Sequence, residues 1–116
     1  MRSHWYNKFA NAVRGIRWGI AGQSSFYVHL TLAAATLALA GALRCQPWQW
    51  CVLGVCIGMV LSLELVNSAI ESLAKGLCHE HNAQVGRALD IASGAVLVAS
   101  CTAALIGLAI FAMQIF

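Results

Sequence analysis

Three runs without a formal charge, residues 26–43, 45–63 and 91–116, take up more than half of this 116-residue chain. A bilayer hydrocarbon core about 30 Å thick is crossed by roughly 20 helical residues at 1.5 Å each. The runs hold 18, 19 and 26 residues, so each is long enough to span, the last even when tilted. The first is the shortest, interrupted only weakly by Tyr27, His29, Thr31 and Thr36. Composition closes off the soluble alternative. Hydrophobic residues make up 60% and charged ones 9% of the chain, against about 45–50% and 25% in soluble domains. A chain this small has too little interior to hide such a share, and some of that surface must face lipid. Disorder is excluded by the same figures.

The sequence therefore predicts one all-α membrane domain over residues 1–116, with spans at about 26–43, 48–71 and 90–113. Pro47, between Arg44 and the Trp48/Trp50 pair, marks a short turn at an aromatic interfacial belt. Ahead of the first span, about residues 5–22, Trp5, Phe9, Val13, Ile16 and Ile20 recur at steps of three and four and share one helical face. With Lys8, Arg14 and Arg17 beside that face, the segment reads as an amphipathic surface helix able to contact anionic lipid or an anionic substrate. A simpler reading, a basic topology signal, stays open. Arg2, Lys8, Arg14 and Arg17 precede the first span and Lys75 and Arg87 lie between the second and third, whereas only Arg44 lies between the first and second. That bias predicts a cytoplasmic N-terminus and second loop, with Arg44 and the C-terminus outside. The start of the chain, MRSHWYNKF, has no apolar segment ahead of a small-residue cleavage site, so no cleaved signal peptide is expected. The five cysteines contain no CxxC pair and read as buried thiols.

Acidic residues are scarce: Glu64, Glu71, Glu80 and Asp90 are all there are. Glu64 ends the second apolar run and Glu71 follows two turns later on the same side, with Asn67 and Ser68 between them. Polar groups on a membrane helix must face protein, water or an ion. Interhelical hydrogen bonding is one use for this stripe. A site with one carboxylate as base and another as cation ligand is the other, the two being about 10 Å apart along the axis. Asp90 is expected to open the third helix, where the helix N-terminus favours its charged form, at a similar depth. Neither GxxxxGK[ST] nor GxGxxG is present. The run Cys78-His79-Glu80-His81 is too crowded to converge on one tetrahedral zinc and reads as a solvated loop.

The stretch Glu64-Leu-Val-Asn67-Ser-Ala-Ile-Glu71, together with Ala88-Leu89-Asp90-Ile-Ala-Ser-Gly-Ala-Val-Leu97, closely resembles the small prokaryotic diacylglycerol kinases, a family that includes undecaprenol kinases. The resemblance runs ungapped from about Gly15 to the end of the third span. It implies a homotrimer in the bacterial inner membrane, with sites shared between subunits at the cytoplasmic boundary and no nucleic-acid partner. The reaction implied is transfer of the terminal phosphoryl group of ATP, with magnesium, to a membrane lipid hydroxyl, giving phosphatidic acid or undecaprenyl phosphate. By resemblance the catalytic base matches Glu64, its neighbouring asparagine Asn67, and the metal-holding carboxylate Glu71. The family's lysine–aspartate pair falls on Leu89 and Asp90. Its surface-helix small and basic positions fall on Gly15 and Arg17, leaving Arg14 and Arg17 as candidate nucleotide contacts beside Asp90. Trimer contacts are expected through Ala69, Gly94 and Ala95, whose small side chains allow close helix approach.

Three positions depart from the family pattern. Its second metal-binding glutamate falls on Gln23, whose carbonyl is an oxygen ligand without the charge. Leu89 replaces a phosphate-contacting lysine. Lys75 stands where an aspartate is usual, one turn from Glu71, and is placed to supply the missing ammonium; the plainer reading is an inside topology charge. These departures leave a second function class open, a catalytically inactive membrane paralogue with a lipid-binding or structural role.

Overall fold

A computed structural model describes residues 2–21 and 24–116 and contains four helices in that range: α1 (Arg2–Ala21), α2 (Ser24–Ala42), α3 (Pro47–Leu77) and α4 (Ala83–Ile115). Gln23, expected to ligate metal, and position 22, the expected end of the surface helix, lie outside the described residues. The last three helices are each long and apolar enough to cross a membrane, and the chain is an integral membrane protein. Large apolar side chains such as Val55, Val66, Ile91, Val98 and Leu105 point outward along them, as a lipid-facing surface requires.

The most extensive packing is between α3 and α4; α2 lies against α3, and α1 touches both α2 and α3. Local sequence sets the breaks between the spans. Helix α2 ends in a Schellman motif: Cys45 N–H donates to Ala40 O at 3.0 Å and Arg44 N–H to Gly41 O at 3.2 Å. Arg44 takes the left-handed conformation this turn demands, with φ 56°, a position glycine usually fills. Helix α3 then starts with Pro47 at its first turn, where a missing N–H costs nothing, behind an extended Gln46 cap. At the other end Asn82 caps α4, its Oδ1 accepting from Gln84 N at 2.9 Å and Val85 N at 3.2 Å.

This cap corrects one expectation. Asp90 does not open a helix but lies two turns inside α4, because nothing from Ala83 onward interrupts helical hydrogen bonding once Asn82 has nucleated it. The helix-terminal field falls off within the first turn and does not reach Asp90. The cysteines also divide differently from the expectation. Cys45 and Cys56 are buried, while Cys51 and Cys101 lie on the outer surface, where a small apolar thiol suits lipid. All five are free.

Most of the apolar stripe of α1 is left uncovered by the chain's own fold: Trp5, Phe9, Val13 and Ile16 are exposed. Contact with the bundle is made near the helix's end, where a Cβ at Gly19 would run into the Leu65 side chain. Gly15, by contrast, has open space around it.

Candidate active site

Counting along α3 from Pro47 at 1.5 Å per residue puts Glu64 about 26 Å and Glu71 about 36 Å from the Trp48/Trp50 end. A hydrocarbon core of about 30 Å that began at Pro47 would end between Glu64 and Glu71. Their surroundings differ accordingly.

Glu64 is only 2% exposed. An isolated carboxylate at that depth would cost several kcal/mol in lost solvation, and α2 supplies the compensation. The Ser25 hydroxyl donates to Glu64 Oε1 at 2.6 Å, at the short end of the O–H···O range. His29 Nε2 stands 3.4 Å from Oε2, a little longer than a well-formed N–H···O bond. Ser25 and His29 are four residues apart and so lie on one face of α2.

One turn further along α3, Asn67 and Ser68 are both buried, and Asn67 Nδ2 donates to Glu71 Oε1 at 3.2 Å. That bond turns the Asn67 amide so that its Oδ1 is buried with no partner, and the Ser68 hydroxyl is likewise unpartnered. Buried polar atoms left unsatisfied are rare and call for a ligand, an ion or a neighbouring chain. The Glu71 carboxylate and the Asn67 carbonyl are hard oxygen donors of the kind magnesium prefers, so the residues present fit that ion in kind. Among the described residues, no set of three His, Cys, Asp or Glu side chains converges to hold a metal.

Beyond Glu71 an open cleft of about 400 Å³ is walled by the last turn of α3, the loop and the start of α4, including Glu71, Lys75, Glu80, His81, Asn82 and Leu89. Lys75 and Leu89 thus face one space from opposite helices. Lys75 also sits in the last turn of α3, where a cation favours the helix dipole. Asp90 is exposed, and so are Arg14 and Arg17 on α1; Arg14 Nη1 donates to Asn11 Oδ1 at 3.3 Å within its own helix. The Cys78–His81 run forms the α3–α4 loop, with the Cys78 thiol donating to Glu80 O at 2.9 Å.

The pair that sequence reasoning missed is Ser25 and His29. The available signal was a histidine and a hydroxyl one turn apart at the start of an otherwise apolar span, a placement that is expensive without a buried partner.

A comparison with known families decides the relationship: the prokaryotic diacylglycerol kinase profile matches residues 10–111. The chain belongs to the prokaryotic diacylglycerol kinase family. It is similar to an undecaprenol kinase of Bacillus subtilis (strain 168), 31% identical over 109 residues, which cover 94% of this chain and 89% of that one. It is also similar to a diacylglycerol kinase of Synechocystis sp., 31% identical over 102 residues; these cover 85% of this chain but 57% of that longer protein. Membership in the prokaryotic diacylglycerol kinases links the chain to lipid-kinase chemistry at the family level.

Proposed function

We propose that this protein transfers the terminal phosphoryl group of ATP to the primary hydroxyl of a membrane lipid, diacylglycerol or undecaprenol. The carrying observation is the Glu64 carboxylate, buried at the end of a span, held by a hydroxyl, and one turn from the Asn67–Glu71 pair. A lipid hydroxyl reaches that depth with its tails still in hydrocarbon, whereas ATP stays in water beyond Glu71. In this reading Glu64 accepts the hydroxyl proton as the lipid oxygen forms its bond to the γ-phosphorus and the bond to ADP breaks. Asn67 fixes Glu71. Magnesium on the nucleotide would be held by Glu71, with Asn67 and Gln23 as further oxygen donors, and would neutralise phosphate charge. Arg14, Arg17 and Asp90 complete the proposed nucleotide contacts.

Lys75 takes the place of the cation missing at Leu89. Support comes from the shared cleft, which Lys75, Leu89 and Glu71 all line.

The proposed assembly is a homotrimer in the bacterial inner membrane, with the N-terminus and the α3–α4 loop cytoplasmic and the C-terminus outside. Ala69 and Ala95 are exposed on the single chain, and Gly94 has open space around it, leaving room for a neighbouring helix. Mass measurement in mild detergent is expected to give three subunits. External labelling of single introduced cysteines, in a background without the native five, is expected at position 44 and not near position 80.

The second reading, an inactive paralogue that binds lipid, is favoured by Leu89 and Gln23. Phosphorylation of both lipids by magnesium-ATP in detergent micelles separates the two. Product from either lipid supports the kinase, and no product from a stably assembled protein supports the paralogue.

A further inference from the structure

Glu64 is gripped from a different helix than the one that carries it. Ser25 donates to Oε1 at 2.6 Å and His29 Nε2 approaches Oε2 at 3.4 Å, so both carboxylate oxygens face one turn of α2. The histidine side chain is 18% exposed and that of Glu64 is 3% exposed, so little water competes for either group. His29 also borders a half-open cavity of about 360 Å³ between α2, α3 and α4, lined largely by Leu32, Val60, Leu61, Gly107 and Phe111. The imidazole therefore borders both the carboxylate and a largely apolar space. A carboxylate has about four acceptor directions. With Ser25 on one oxygen and His29 near the other, directions stay free for a substrate hydroxyl.

We infer that His29 is a positioning residue for lipid phosphorylation, donating Nε2–H to Glu64 Oε2 and holding the carboxylate in the orientation that accepts the substrate proton. The inference rests on the lipid-kinase reading and adds to it a residue outside the Glu64–Glu71 stripe. Misplacement of a reacting group by about 1 Å costs up to about 100-fold in rate, so loss of one of two restraints is expected to lower kcat by about 10-fold or more. Because His29 acts through Glu64, its loss has nothing further to remove once the base is gone.

The test is a kinetic double-mutant cycle on the full chain in lipid micelles, comparing parent, His29→Leu, Glu64→Gln and the double variant, with thermal unfolding measured for each. His29→Gln, which returns an N–H donor at similar reach, is the rescue variant. The expected result is a kcat loss of about 10-fold or more in His29→Leu with the KM for magnesium-ATP unchanged, no further loss in the double variant beyond Glu64→Gln, and recovery of most of the rate in His29→Gln. Losses that multiply in the double variant, an unchanged kcat in His29→Leu, or no recovery in a folded His29→Gln would each overturn the inference while leaving the kinase reading intact. A parent that phosphorylates neither lipid overturns the kinase reading, and the positioning role falls with it.

Discussion

At the Arg44 end of the bundle, polar groups find partners and apolar ones pack together. Gln114, at the end of α4, donates from Nε2 to the carbonyls of Leu43 and Arg44 at 3.1 and 3.2 Å, satisfying the end of α2 across the fold. The buried Gln49 accepts from Gln46 N at 2.7 Å, and Trp48 Nε1 donates to Gln46 Oε1 at 2.9 Å. Beside this network Ala40, Cys45, Leu53 and Ile110 form the apolar core. At the Glu64 end the pattern reverses: a carboxylate is buried, and Asn67 Oδ1 and Ser68 Oγ have no partner. Helix α1 meets the rest of the fold close by, at Gly19 and Leu65. One end pairs its polar groups within the single chain, whereas the other leaves Asn67 Oδ1 and Ser68 Oγ without a partner. Unsatisfied polar groups are a stability cost tolerated where function uses them.

If this division is right, substitutions at the two ends should separate rate from stability. The largest effect is expected from Lys75→Met. Removing a cation that offsets charge on a transferring phosphoryl group costs about 1,000-fold or more, and lipid turnover should be lost with trimer assembly unaffected; an unchanged rate would leave Lys75 as a topology charge. Glu71→Gln should weaken magnesium-ATP binding as well as rate, by more than the roughly 10-fold that loss of an outer-shell partner of a metal costs. Titration of the nucleotide in micelles reads this out.

The Arg44 end should behave oppositely. Gln114→Leu removes two interhelical hydrogen bonds and should cost about 1 kcal/mol of stability, seen as a lower thermal midpoint, with turnover near that of the parent. Smallest is Arg44→Gly. It relieves a left-handed residue and should stabilise by about 0.5–1 kcal/mol, again with no change in rate.

What sequence could and could not convey follows the same division. The three apolar helices were legible because a bilayer demands long uncharged runs, and Pro47 with its tryptophans marked a boundary by local chemistry alone. The Glu64–Asn67–Glu71 stripe was legible because i, i+3 and i+7 positions share a face of one helix. Asp90 was misplaced because the helix start is decided by Asn82, whose capping bonds are local but sit eight residues earlier. Ser25 and His29 went unread as partners of Glu64 because the contact is between helices far apart in the chain, and periodicity within a helix says nothing of register across two. Gly19 against Leu65 is hidden for the same reason.

On the proposed mechanism Glu64 serves proton transfer and does not hold the fold. Its most direct test is Glu64→Gln, which keeps size and much of the hydrogen bonding to Ser25, measured beside the parent for lipid phosphorylation at saturating magnesium-ATP and for thermal unfolding. A fall in turnover of at least about 100-fold is expected, with nucleotide binding and the unfolding midpoint little changed. Turnover equal to that of the parent would contradict it.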